Sequence, residues 1–504
     1  MSDLHGIDPH TGAPLPDAIP TSTDDDVDDA CRAAEAASTA WAALAPVDRA
    51  AVTDRIAHAL RADADELVAT ANRETALGVP RLTGELERTA VQWEQYGRAM
   101  LDGELWNVTI DHADPDAAPA PRPDLRKMNT PVGPIAVYAA GNFPFAFSVA
   151  GTDTASALVV GCPVVVKAHE GHPGTSARVA AILRRVLTDA GHPDVVSVVH
   201  GFAAGRRLIT HPAITAAAFT GSVAGGRALA GDAARRIEPI PFYGELGSLN
   251  PAIVTPAAWA ERRDEIVTGF TGSFTLGSGQ FCTKPGLLVV PEGDLSALTA
   301  AVTTAPTHPL LYRRIVTGFT AATERLAETD GVTTLVEPVP GDGYATTAGL
   351  YVVDAAHLDA RSATLLDECF GPVSLVVTYR DTDELRRVLD RLPGGLTGSV
   401  HIGGDEDPDA PGVLRALASR NGRVVVDQWP TGVSVTWAMH HGGPWPASTN
   451  PGHTSVGPDA ARRFLRPVAY QNTPAFLLPA ALRDDNPWQL SRRVNGALQT
   501  RPNG

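Results

Sequence analysis

Ile135-Ala-Val-Tyr138, Val164-Val-Val-Lys167, Val195-Val-Ser-Val-Val199 and Ala216-Ala-Ala-Phe219 are short apolar runs separated by helix-like segments. Those segments are Ser148–Val160, Gly174–Asp189, Gly205–His211 and, after the fourth run, Ala224–Ala234. Strand alternating with helix at this pace is the pattern of right-handed βαβ units laid on a parallel sheet, so the fold class is α/β.

Working outward, a second alternating α/β region runs from about Asn250 to Thr436. Upstream the chain is helical in pattern. Asp24–Ala43 and Val47–Asn72 are Ala-rich with apolar residues every three or four positions, and a further helix is predicted over Arg81–Asp102. Leu105–Ile110 and Leu125–Thr130 read as two strands around a Pro/Ala/Asp turn, Asp111–Pro123. A projecting hairpin of this kind cannot bury both faces alone and suits a partner subunit. Phe464–Tyr470 is strand-like, and a polar tail follows.

At 504 residues the chain needs more than one core, and its 44% hydrophobic and 19% charged residues are those of a packed globule. The net charge is −16, with no basic run to follow a phosphate backbone, so nucleic acid is not an expected partner. Apolar stretches such as Ala155–Val166 are short and broken by Gly161 and Pro163, so no membrane span is expected. The polar, acidic start excludes a signal peptide. Cys31, Cys162, Cys282 and Cys369 show neither CxxC spacing nor paired histidines nearby, which points away from zinc and disulfides and towards a reduced, cytoplasmic chain.

Chemistry concentrates in five places. Gly277-Ser-Gly-Gln-Phe-Cys-Thr-Lys-Pro-Gly286 sets one cysteine in a glycine-rich loop. Small neighbours give access to a thiolate and backbone N–H groups stabilise it; a buried structural cysteine would need no glycine collar. Phe242-Tyr-Gly-Glu-Leu-Gly-Ser-Leu-Asn-Pro251 carries an acid among apolar residues, expected to be desolvated and raised towards general-base range, or else a loop surface carboxylate. In Gly141-Asn-Phe-Pro-Phe145 a side-chain amide can serve an oxyanion. Lys167 ends a strand where a ribose would bind, or simply caps that strand at the surface. Phe219-Thr-Gly-Ser-Val-Ala-Gly-Gly226 runs from strand through glycines into helix, suited to a pyrophosphate, although it is not the GxGxxG fingerprint.

The order of these segments, with Glu368-Cys-Phe-Gly-Pro372, resembles the aldehyde dehydrogenase superfamily across nearly the whole chain. The resemblance implies a Rossmann-like cofactor domain (1–104 and 131–247), an α/β catalytic domain (248–460), a small β oligomerisation element (105–130 and 461–481) and a C-terminal tail (482–504). It implies Cys282 as nucleophile, Glu245 as general base, and Asn142 with the Cys282 N–H as oxyanion hole. Lys167 and Glu368 would hold the two riboses of NAD or NADP, Gly221, Ser222 and Gly226 the pyrophosphate, and Phe370 would pack near the nicotinamide. An aldehyde would pass through a thiohemiacetal and a thioester to the acid.

Asn142–Ala157, His172-Pro-Gly-Thr-Ser176, Trp429-Pro-Thr-Gly-Val433, His440-His-Gly-Gly-Pro444, Thr454-Ser-Val-Gly457 and Arg463–Asn472 are similar to one branch of that superfamily. It holds α-ketoglutaric semialdehyde (2,5-dioxovalerate) dehydrogenases and a bacterial NADP-dependent fatty aldehyde dehydrogenase. The expected substrate is the semialdehyde, with fatty or general aliphatic aldehydes as the alternative and a homodimer or homotetramer as the assembly.

Several positions bear on the detail. Glu170 would accept ribose hydroxyls and repel a 2′-phosphate, which favours NAD; Arg206 and Arg207 lie where relatives place a basic group for NADP. Lys284 lowers the pKa of the nucleophile, attracts an acidic substrate, or points into solvent. Cys369 reads as a packing residue. His440 and His441 read as a loop over the substrate entrance, and as a metal pair they lack a third ligand nearby in sequence. Gln471 and Arg462–Arg466 lie on the presumed exchanged strand, where they could serve assembly. The presence of Glu245 speaks against a CoA-acylating enzyme, and the full set of groups speaks against an acyl-phosphate reductase and a catalytically silent scaffold.

Overall fold

Five parallel strands form the first sheet, in the order Val196–Val199, Val164–Lys167, Ile135–Tyr138, Ala216–Thr220, Phe242–Glu245. The computed structural model describes residues 3–358 and 365–500, so residues 1–2, 359–364 and 501–504 of the expected domain ranges lie outside it. The strand order reverses between Ile135–Tyr138 and Ala216–Thr220, and crevices at such a reversal open at the carboxyl ends of the strands. Tyr138, Lys167, Thr220 and Glu245 all end strands at that edge.

The second sheet has seven strands, in the order Val332–Val336, Gly349–Asp354, Val373–Tyr379, Leu287–Pro291, Pro251–Val254, Gly395–His401, Asn421–Val426. The first of these is antiparallel to its neighbour and the rest are parallel. Strand Phe242–Glu245 leads through Leu246–Asn250 into Pro251–Val254, so the carboxyl edge of one sheet adjoins the amino edge of the other. The loops before Leu287 and before Val373, which carry Cys282 and Glu368, enter the second sheet at that same edge.

Helix formation follows local chemistry. Asp24–Ala43 opens with a capping box in which Thr23 and Asp26 satisfy each other's backbone N–H. The helix predicted over Val47–Asn72 is two, Pro46–Ala62 and Ala64–Thr75, because the chain leaves helical geometry at Asp63. Helix Val79–Asp102 packs on Pro46–Ala62. Its buried Glu85 accepts the N–H groups of Phe145 and Ala146 at 2.8 and 3.0 Å, which fixes the loop that carries Asn142.

A third sheet has the order Leu465–Gln471, Leu125–Pro131, Thr109–Asp111, Arg492–Val494, Ala497–Gln499. The strand predicted over Leu105–Ile110 begins only at Thr109, because Leu105 and Trp106 are buried in the main core. The stretch read as a polar tail supplies the two strands Arg492–Val494 and Ala497–Gln499. Leu465–Gln471 pairs with Leu125–Pro131 of its own chain, and no described strand covers its other edge. A hairpin of Asp3–Ile7 with Pro14–Pro20 precedes the first helix and carried no alternation by which to foresee it. No described helix is long and apolar enough to cross a membrane.

Candidate active site

The Cys282 loop owes its shape to Gly277, Ser278 and Gly279, all left-handed at φ 56°, 54° and 64°. A side chain at Gly279 would strike the carbonyl of Gly371, so glycine is required where the Cys282 and Glu368 loops touch. Ser278 tolerates its conformation because its hydroxyl bonds the His308 carbonyl at 2.6 Å. Asn250, at the entry to the second sheet, donates its amide to the carbonyls of Cys282 (2.8 Å) and Lys284 (3.0 Å).

Cys282 Sγ lies 3.4 Å from His441 Nε2, and that same nitrogen lies 2.9 Å from Glu245 Oε1. Ser455 donates its hydroxyl to Glu245 Oε2. His441 comes from the long segment after Asn421–Val426, which lies along strand Phe242–Glu245: Leu246 N bonds Ala447 O at 2.8 Å and Glu245 faces Ser448 in an antiparallel bridge. His441 is thus a site residue that the sequence reading left in the entrance loop. The ligand-type atoms of Glu245, Cys282 and His441 lie within 4.8 Å of one another, a cluster drawn from distant segments that does not include His440.

Burial drives the Cys282 thiol well above its ordinary range, and the neighbouring Glu245 charge and hydrogen bond add to this; Arg88 opposes it. Burial also pushes Glu245 up, but the charge and hydrogen bonds of His441, with those of Ser455 and Cys282, outweigh it and leave the carboxyl below its usual value. The expectation that desolvation raises Glu245 is therefore corrected. At rest the cluster is a thiol beside a carboxylate, with an imidazole in reach of both.

Asn142 directs Nδ2 to the carbonyl of Gln280, two residues before the thiol, at 3.1 Å, and its own carbonyl accepts from Arg81 at 2.9 Å. One N–H of its amide remains to donate. Phe143, Phe147 and Val456 form a small apolar cluster with Phe281, Val433 and Met439 beside it.

Along the carboxyl edge of the first sheet, buried Lys167 forms an ion pair with Glu170. Gly205 packs against it, where a Cβ would lie 3.3 Å from the Lys167 stem. Ser222 caps helix Val223–Ala234 by accepting from Gly225 N at 3.2 Å, so other amides of its first turn are left for a ligand. Gly221 lies against the Phe219 ring, while Gly226 faces Leu246 and serves close packing of helix on loop. Arg206 is 68% exposed with only a long contact to Asp232, whereas Arg207 is tied to Asp28 at 2.6 Å. A buried cation with a carboxylate beside it and a glycine-led helix start fit a dinucleotide's ribose and pyrophosphate.

Glu368 abuts Gly247, one residue beyond Leu246, and Phe370 packs partly buried on the core. Burial raises the Glu368 carboxyl to about 7 despite the nearby Lys284. Lys284 neither points into solvent nor meets the thiol. It is buried, and its ammonium donates to the carbonyls of Cys369 (2.6 Å) and Val373 (2.8 Å). Cys369 is buried, as a packing residue would be.

This fold and this sequence define the class: the chain belongs to the aldehyde dehydrogenase family, whose pattern matches residues 2–310. It is an oxidoreductase that acts on aldehydes with a nicotinamide cofactor. The chain is similar to alpha-ketoglutaric semialdehyde dehydrogenase 2 of Azospirillum brasilense, at 43% identity over 98% of this chain and 96% of that one. It is similar also to the alpha-ketoglutaric semialdehyde dehydrogenase of Acinetobacter baylyi, at 38% identity over 95% and 92%. Among solved structures it matches 1-pyrroline-5-carboxylate dehydrogenase from Thermus with bound NAD, with a TM-score of 0.78 at 22% identity over 93% and 90% of the two chains.

Proposed function

We propose that the chain oxidises α-ketoglutaric semialdehyde (2,5-dioxovalerate) to 2-oxoglutarate, with Cys282 as nucleophile and NAD as the preferred cofactor. The observation that carries the chemistry is the 3.4 Å approach of Cys282 Sγ to His441 Nε2, with Glu245 2.9 Å from the same nitrogen. The near full-length similarity to two semialdehyde dehydrogenases supports the substrate.

Because the resting thiol is held protonated, attack on the aldehyde carbon requires the S–H proton to leave as the S–C bond forms. His441 takes it. Asn142 and the Cys282 N–H stabilise the oxyanion of the thiohemiacetal. Bound nicotinamide supplies the hydride acceptor that turns this adduct into a thioester. Glu245, a carboxylate at rest, draws a proton from water, which attacks the thioester carbon and releases the acid and the thiolate.

Lys167 and Glu170 hold one ribose and Glu368 the other; Gly221, Ser222 and the first turn after them hold the pyrophosphate, and Phe370 backs the nicotinamide. Glu170 favours NAD, and the compensation of Arg207 by Asp28 leaves Arg206 as the one basic group of the pair open to a 2′-phosphate. Residues 1–104 and 131–247 serve the cofactor and 248–460 the chemistry, and the sheet edge at Leu465–Gln471 joins chains into a homodimer or homotetramer. Four cysteines, none disulfide-bonded, support a cytoplasmic setting.

Steady-state rates on short semialdehydes and long aliphatic aldehydes, each with NAD and with NADP, test this reading. The expected result is the highest kcat/KM for the dioxo acid with NAD, without CoA. A preference for long aliphatic chains overturns the substrate.

A further inference from the structure

Helix Val79–Asp102 turns a row of polar side chains towards the loop that carries Asn142. Arg81, Glu85, Arg88 and Gln92 follow the spacing of one helix face. The Arg81 guanidinium lies over the Phe143 and Phe281 rings at 5.1 and 4.6 Å, Glu85 holds the Phe145 and Ala146 N–H groups, and Arg88 lies over Phe147 at 5.6 Å. Phe147 in turn faces His441, with ring centres 6.3 Å apart, and His441 touches the nucleophile. Contacts thus run from Arg88 through Phe147 and His441 to Cys282.

Arg88 Nε and Nη2 are closed off from solvent and have no hydrogen-bond partner among the described residues. The amide nitrogen and oxygen of Gln92, one turn further along and fully buried, are equally unpartnered. Glu85, one turn earlier on the same face, has Oε1 committed to the loop N–H groups, and its Oε2 is buried without a hydrogen bond to Arg88 or to any other described residue. Donors enclosed in this way cost free energy until an acceptor meets them. A planar guanidinium fork matches a carboxylate, and burial holds Arg88 below its ordinary range, opposed first by the Glu85 charge.

We infer that Arg88, with Gln92 beside it, anchors the carboxylate of a short aldehyde acid whose aldehyde carbon lies at Cys282. This rests on the proposed oxidation of a semialdehyde and adds the side chains that select it. The phenylalanines beside the anchor would flank the methylene chain, and the overall acidity of the molecule is offset at this one point.

The test compares wild type with R88M and R88K on glutarate semialdehyde and on pentanal, an uncharged aldehyde of the same chain length. In wild type the acidic aldehyde is expected to have the higher kcat/KM. In R88M the acidic-to-neutral ratio is expected to fall about a hundredfold, mostly through KM, with partial recovery in R88K. A ratio that stays within threefold in folded R88M, while wild type prefers the acid, overturns the anchor and leaves the semialdehyde reading intact. A wild type that favours pentanal overturns the semialdehyde reading itself. If R88M does not fold, inhibition of wild type by glutarate but not by the neutral diamide of the same length supports the anchor, and equal or absent inhibition by both overturns it.

Discussion

Lys284 donates to the carbonyl of Cys369 at 2.6 Å, so the loop that carries Cys282 and the loop that carries Glu368 are held together by one buried ammonium. That bond joins the loop of the proposed nucleophile to the loop proposed to hold a cofactor ribose.

The Glu368 carboxyl, raised to about 7, is neutral below that pH and charged above it. If the carboxylate binds the ribose, the cofactor KM falls as pH rises through about 7. The Lys284 charge favours the ionised form, so K284M moves this inflection to higher pH. It also strands two buried carbonyls and lowers Tm by an equivalent of about 1–3 kcal/mol. Cofactor titrations across the pH range check the first point and thermal melts the second.

Glu245 has two effects of opposite sign. Its charge disfavours the Cys282 thiolate, while in the proposed mechanism its basicity drives hydrolysis. E245Q is expected to alkylate faster with iodoacetamide at neutral pH than wild type, yet to lose about 10²–10⁴-fold in kcat. A pre-steady-state burst of reduced cofactor followed by slow turnover shows the thioester accumulating. Slower alkylation in E245Q would contradict the arrangement described.

Asn142 has one N–H left to donate after bonding the Gln280 carbonyl. N142A is expected to lose about 10²–10³-fold in kcat with a small change in KM. Steady-state kinetics with circular dichroism as a control for folding measure this.

The Lys167–Glu170 ion pair places a negative charge at the expected ribose site. E170Q removes the repulsion of a 2′-phosphate, and the NADP-to-NAD ratio of kcat/KM rises about tenfold or more. Adding R206A to E170Q should reverse part of that gain, because it takes away the exposed guanidinium.

The βαβ core was legible because short apolar runs and helical segments alternate there without interruption. Cys282, Glu245 and Asn142 were legible because glycines and a proline mark their loops within a few residues. His441 was not: its partners lie 159 and 196 positions away, and the doublet His440–His441 looks the same whether it faces a solvent channel or a thiol. Lys284 stayed open between a role near the thiol and a place in solvent because lysine seldom leaves water, and only the fold shows the two carbonyls that receive it. The row Arg81, Glu85, Arg88, Gln92 is an ordinary polar face until the loop beneath it is known. The closing strands Arg492–Val494 and Ala497–Gln499 are too short and too polar to carry an alternation signal.

Glu85 grips the Asn142 loop from outside the two sheets, on a helix that contributes none of the atoms assigned to bond making. In the proposed arrangement, reactivity and discrimination reside on separate pieces of chain. The sheet edges could stay fixed through descent while substitutions along one helical face redirect the catalyst to a new family of aldehydes, and the same face is where a designer would begin.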